Sequence, residues 1–164
     1  MKKNARSIGL AVLSVLLLVL LDQWTKHLAV VKLAEGPFVI WDGVFELHFS
    51  VNEGAAFGIL QQRQFLFLIL TVLVILCVCW FYLFRIPQKR RYRPLNMLCV
   101  TLMAGAIGNF IDRARQGYVV DFLYFKLIDF PIFNVADCYV TFSAALLIIL
   151  LLLYYKEEDL EGIL

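Results

Sequence analysis

Charge is what this chain has least of. Of 164 residues only 17% are charged while 62% are hydrophobic, and the mean hydropathy is +0.82. That leaves too little polar surface for an ordinary soluble domain, so an integral membrane protein is expected. Histidine is nearly missing: His27 and His48 are the only two. No HExxH spacing occurs, so no metal site is assigned and no cofactor is expected. No serine stands in a GxSxG setting, which removes the usual sign of a serine hydrolase, and no glycine-rich phosphate loop is found. Four cysteines are present, Cys77, Cys79, Cys99 and Cys138. Their spacing and company fit neither a zinc cluster nor a disulfide framework, and the first three read as small apolar packing residues.

What the chain does have is long apolar runs. Four qualify as spanning helices: about 8–31, 64–84, 94–111 and 138–155, each close to the ~20 residues that cross ~30 Å of hydrocarbon. The second, Gln64 to Phe84, contains no charge at all. Pro94 suits the start of the third. Met1-Lys2-Lys3 before the first run looks like a signal peptide. However, the helical pattern continues past Asp22 and Lys26 and no small-x-small site closes it, so an uncleaved first helix is expected. The length suggests a single integral membrane domain, 1–164.

Basic residues set the orientation. Lys2, Lys3 and Arg6 lie at the amino end. Arg85, Lys89, Arg90, Arg91 and Arg93 fill the link between the second and third helices, which holds no acid. Both regions are placed in the cytoplasm, and four crossings return the carboxyl end there too. This basic link is explained by topology and anionic lipid, and nucleic acid need not be invoked. The connections at about 32–63 and 112–137 then face outward. In the first, Phe38–Trp41 and Val44–Phe49 flank Asp42-Gly43, a two-residue hairpin signal. Phe45, Leu47 and Phe49 alternate with Glu46, His48 and Ser50, and Tyr118–Phe125 reads as a third strand. The expected fold class is an all-α membrane core of four helices with a small β-sheet lying on its outer face.

The polar residues concentrate in the stretch from Gly108 to Asp137. Asp121 and Asp137 sit at the lips of apolar segments, where a carboxylate is costly unless paired, hydrated or protonated. Brought together, two such acids would share a proton and divide the roles of acid and base, which permits amide hydrolysis without metal, serine or cysteine. Spacing alone leaves a second reading open, in which they are helix-end acids and Asp137 caps its helix. Asp22 and Lys26 share a helix face and read as a structural pair. Asn109, Asp112 and Arg113 share another, with Asp112–Arg113 as an interfacial ion pair and Asn109 as a bond between helices. Ala104 and Gly108 form a small-xxx-small pair for close packing. Asn134 could hold a loop or a substrate carbonyl. Asn52 and Gly54 look like an ordered turn.

Five motifs in order, DQWTK (Asp22–Lys26), NEGAAFG (Asn52–Gly58), GNFIDR (Gly108–Arg113), GYVVDF (Gly117–Phe122) and FNVAD (Phe133–Asp137), carry a resemblance. The chain resembles the bacterial lipoprotein signal peptidases, also called signal peptidase II, over essentially its whole length. Cys138 stands where that family often has serine. The resemblance implies an aspartic endopeptidase that cuts the peptide bond before a diacylglyceryl-modified cysteine and so releases the signal peptide of a prolipoprotein. It implies that Asp121 and Asp137 are the catalytic pair. It also implies that Asp22, Lys26, Asn52, Gly54, Asn109, Arg113, Asn134 and Ala136 frame the site and engage substrate. The implied setting is the outer, periplasmic face of the bacterial inner membrane, with lipidated prolipoproteins and membrane lipids as partners. The sequence itself shows no obvious oligomer surface, so a monomer is expected. Two other classes remain: a proton-coupled transporter, which would place acids near the midplane, and a non-catalytic anchor, which would leave the polar clusters idle.

Overall fold

Asn4 starts the first helix. Its side chain accepts a hydrogen bond from the backbone N–H of Ser7, pairing one of the donors that a helix start leaves open. In the computed structural model, which describes residues 3–54, 64–161 and 163, helix α1 then runs Ala5–Lys32. It is followed by β1 (Phe38–Trp41), β2 (Phe45–Asn52) and α2 (Gln64–Trp80, prolonged by a π-helical turn, Phe81–Arg85). Next come α3 (Arg93–Gln116), β3 (Val119–Tyr124), α4 (Val135–Ile149, prolonged by a π-helical turn, Leu150–Tyr154) and a short α5 (Glu157–Glu161). Among the described residues, four helical segments are long and apolar enough to cross a membrane: Ala5–Lys32, Gln64–Arg85, Arg90–Gln116 and Val135–Tyr154.

α3 is the hub, packing against α1, α2 and α4. Its buried face is built largely from small residues, among them Cys99, Ala104, Gly105 and Gly108. A Cβ on Gly105 would come within 2.6 Å of the Ala136 carbonyl oxygen, and one on Gly108 within 2.5 Å of Asp22 Oδ2. Both glycines are therefore required by close approach, Gly105 against α4 and Gly108 against α1. The small-residue seam thus includes Gly105 beside the anticipated Ala104 and Gly108. Leucines such as Leu13, Leu16, Leu17 and Leu20 of α1 point outward, as lipid-facing residues should.

The ends of the bundle differ. At one, Tyr82, Ile86, Tyr92, Leu95, Leu98, Leu150 and Tyr155 close an apolar cluster. There Arg91 grips Asp159 of α5 with Nε and Nη2. At the other, Ala29, Leu33, Val120 and Phe122 cluster beneath a three-stranded antiparallel sheet of order β1-β2-β3.

Three boundaries depart from expectation for physical reasons. α3 runs five residues beyond Ile111 to Gln116, because Asp112 is buried by α1 instead of ending the helix. Gly117, at φ +81°, then stops it in a left-handed cap. α4 begins at Val135, with Asn134 as its N-cap. The hairpin loop has three residues, Asp42–Val44, since Trp41 pairs with Phe45, and Gly43 supplies the positive φ. The alternation along β2 also breaks. Leu47 pairs with Leu123 and Ser50 with Asp121, so β2 spends three steps where β3 spends two. This bulge turns Ser50 and Asn52 onto the face that carries Asp121. Within NEGAAFG, residues 55–58 lie outside the described residues.

Candidate active site

The site is assembled where α1, α3, β2, β3 and the start of α4 meet. Asn134 is wholly buried. Its Oδ1 accepts from the Asp137 N–H at 2.9 Å, and Asp137 Oδ2 accepts from the Asn134 N–H at 3.2 Å, closing a capping box. The Asn134 Nδ2 then donates to Asp121 Oδ1 at 2.6 Å and to Asn109 Oδ1 at 3.2 Å. One amide side chain thus caps the helix that carries one acid while donating directly to the other. The helix-cap reading of Asp137 holds, and it coexists with this linkage.

Each acid has a second amide partner. Asn52 Nδ2 donates to Asp121 Oδ2 at 2.9 Å, and Asn109 Nδ2 donates to Asp137 Oδ1 at 2.8 Å. Asp121 is only 2% exposed. Burial pushes its carboxyl up to about 6, and the neighbouring Asp137 charge pushes the same way, against the hydrogen bonds from Asn52 and Asn134. Its proton is therefore held into the mildly acidic range.

Behind the pair lies a buried charge cluster. Lys26 Nζ reaches Asp22 Oδ2 at 3.0 Å, Asp112 Oδ2 at 2.9 Å and Asn109 Oδ1 at 2.9 Å, so all three ammonium protons have acceptors. Asp22 Oδ1 accepts from the Ala136 N–H at 2.8 Å, a direct strut from α1 to the first turn of α4. Asp112 Oδ2 also accepts from the Val120 N–H, fixing β3. The cluster thereby anchors both elements that bear the acids. Asp112 pairs with Lys26 and not with Arg113, because Arg113 points to the other side of α3 and donates to the Gly54 carbonyl at 3.3 Å over the Phe67 ring. Gly54 N–H in turn donates to Asn52 Oδ1 at 3.0 Å, the expected turn.

Asp121 and Asp137 both line a cavity of about 870 Å³. Its polar side also includes Asn52, Gly54, Asn109 and Arg113; its apolar side includes Phe130, Ile132, Val140 and Phe142. One carboxyl pair set between a polar wall and a greasy one suits a substrate that is part peptide and part lipid.

Over residues 14–153 the chain matches the family model described as Signal peptidase (SPase) II. The chain belongs to this family. It is 45% identical over 134 residues to the lipoprotein signal peptidase of Streptococcus thermophilus (strain CNRZ 1066), covering 81% of this chain and 86% of that protein. It is 44% identical over 153 residues to that of Streptococcus pyogenes serotype M5 (strain Manfredo), covering 92% and 95%. It is similar in fold to a solved bacterial membrane enzyme at 2.3 Å resolution, with a TM-score of 0.81, 33% identity, and coverage of 95% of this chain and 96% of that one. A second such structure, at 1.9 Å, gives a TM-score of 0.77 at 33% identity, covering 94% and 98%. As a signal peptidase II, the chain is a multi-pass membrane peptidase.

The site residues named from this peptidase's sequence come together around the cavity and its backing. Asp121, Asp137, Asn52, Gly54, Asn109 and Arg113 line it, while Asp22, Lys26, Asn134 and Ala136 brace it from behind. Sequence reasoning missed Gln23, whose Nε2 donates to Asp112 Oδ1 at 2.8 Å and to Asp22 Oδ2 and the Gly108 carbonyl at 3.2 Å. The available signal was its position beside Asp22, as an amide within an apolar helix.

Proposed function

We propose that this signal peptidase II is an aspartic endopeptidase that removes signal peptides from lipidated prolipoproteins, with Asp121 and Asp137 activating water. The reading rests on one observation: two acids from different elements share Asn134 and one cavity. In it, Asp121 carries the proton and polarises the scissile carbonyl. Asp137 takes a proton from the attacking water, and the dyad then returns one to the leaving amine. Asn52 and Asn109 hold the two carboxyls in register, and Arg113 and Gly54 contact the peptide. The peptide bond cut is the one before a diacylglyceryl-cysteine, whose acyl chains lie along Phe130, Ile132, Val140 and Phe142 while water enters from the polar side. Signal peptide and lipid would supply the binding energy that places the bond against the acids.

The whole chain serves as one membrane unit, working as a monomer. Lys3 and the Lys89–Arg93 region face the cytoplasm, and the sheet and both acids face outward, consistent with the bias of basic residues. The test is cleavage of a purified diacylglyceryl-modified prolipoprotein by purified protein. Asp121→Asn and Asp137→Asn should each lower kcat by 10³-fold or more while the protein still inserts. Full activity in either variant would refute the dyad.

A further inference from the structure

A second groove lies at the other end of the bundle. It is about 780 Å³ in volume and runs between α1, α3 and the α2–α3 connection. On α1 it is lined by Ser7, Leu10, Ser14, Leu17 and others at helical spacing, with Lys3 just ahead of the helix. At 1.5 Å per residue, Ser7 to Leu17 spans roughly 15 Å, comparable to the hydrocarbon of one leaflet.

The lining is polarised along this length. Lys3, Lys89, Arg90 and Arg93 surround the mouth, with Asn4, Gln88 and Asn96, and no acid among the described residues lines it. Beyond the mouth the walls become Leu10, Leu17, Leu18, Met97 and Val100. Lys3 is already engaged, donating to Asn96 Oδ1 and lying 4.5 Å from the Tyr82 ring centroid. Lys89, Arg90 and Arg93 are exposed and form no salt bridge among the described residues, unlike Arg91, which is held by Asp159. The basic bias of a cytoplasmic loop explains why cations are here. It does not explain why three of them converge on the rim of an apolar furrow while Arg91 is drawn away to α5.

We propose that this groove binds an anionic diacyl phospholipid of the adjacent leaflet, its phosphate at Lys89, Arg90 and Arg93 and one acyl chain between α1 and α3. Charge complementarity selects this occupant. The amino-terminal region of a signal peptide is positively charged and would be repelled by the mouth. A soluble anion would satisfy the cations but leave the apolar furrow unused. The site stands apart from the Asp121–Asp137 cavity, and only the leaflet assigned to it depends on the orientation proposed above.

The experiment is native mass spectrometry of the full-length purified protein, titrated with phosphatidylglycerol or phosphatidylcholine of identical chains. Phosphatidylglycerol is expected to bind at least tenfold more tightly, on a basis of about fivefold per basic residue at the headgroup. Lys89→Gln/Arg90→Gln/Arg93→Gln should reduce that preference to twofold or less. Ser14→Phe, which fills the furrow and alters no charge, should weaken both lipids. Arg6→Gln/Lys156→Gln removes basic residues outside the groove and should change nothing. Equal loss of preference in this control would overturn the proposal in favour of diffuse surface charge. Displacement of the lipid by millimolar inorganic phosphate, or unchanged binding in Ser14→Phe, would overturn it in favour of a simple anion site. Prolipoprotein cleavage by the triple variant in detergent should persist, so failure here is distinguishable from failure of the dyad.

Discussion

Asn52 faces Asp121 across a bulged strand pair, its Nδ2 2.9 Å from the carboxylate Oδ2. Without the extra residue between Leu47 and Ser50, the period-two alternation of a strand would turn Asn52 to the opposite side of the sheet. The bulge is therefore part of the site. An ionised carboxylate accepts this hydrogen bond better than a protonated one, so the amide favours the charged form of Asp121. Asn52→Ala should shift the Asp121-dependent limb of the pH–rate profile upward by about 0.5–1 unit, corresponding to about 1 kcal/mol for a net hydrogen bond. A profile of kcat/KM against pH checks it, and Asn52→Asp should not restore the original limb.

The raised Asp121 value has a thermodynamic signature. Its carboxyl titrates near 3.8 when unperturbed and about 6 in the fold. Between those values the native state binds more protons than the unfolded state, so this group's contribution to stability falls as pH rises from about 4 to about 6. Asp121→Asn removes the titration. Thermal unfolding in detergent should show the wild-type Tm declining across that window relative to the variant, with the two curves running parallel above about pH 7.

Lys26 neutralises two buried acids at once. Lys26→Met strands Asp22 and Asp112 without a counter-charge and should cost about 3–5 kcal/mol, the range for removing one partner of a buried ion pair. Adding Asp22→Asn should recover part of that loss. A double-mutant cycle by chemical denaturation would detect the coupling, and strict additivity of the two substitutions would contradict the cluster as described.

Gly108→Ala introduces a methyl group 2.5 Å from Asp22 Oδ2, an oxygen already held by Lys26 and Gln23. It should destabilise by about 1–3 kcal/mol as an overpacked contact and lower activity by displacing the strut from Asp22 to Ala136. Gly9→Ala, with open space around its Cβ, should be neutral or slightly stabilising. Paired Tm measurements on the two variants separate close approach from helix propensity.

The helices and the sheet were legible because long charge-free runs and strand alternation are one-dimensional patterns, and residues 64–84 could hardly be anything else. Asp121 and Asp137 stood out as acids at the lips of apolar segments, whereas the set of residues framing them came from the resemblance of the five motifs. Partner choice was legible only at short range, as for Asp22 with Lys26 and for the Asn52–Gly54 turn. Asp112 lies next to Arg113 in sequence, yet the helix turns the two apart and the acid finds Lys26 on another element. The β2 bulge was invisible too, since nothing in FELHFSVN marks which residue goes unpaired. Ending α3 at Ile111 assumed that polar residues stop a spanning helix, whereas burial against α1 lets it continue. Such features depend on what arrives from elsewhere in the chain.

The capping box at the start of α4 has one further consequence. Asn134 and Asp137 hold each other only while the first turn of that helix is wound, and the same asparagine steadies Asp121. Fraying of a single helical turn would scatter the proposed dyad and leave nearly all of the helical content in place. Catalysis should accordingly fade on warming well before circular dichroism registers any melting, which makes turnover the more sensitive thermometer of this molecule.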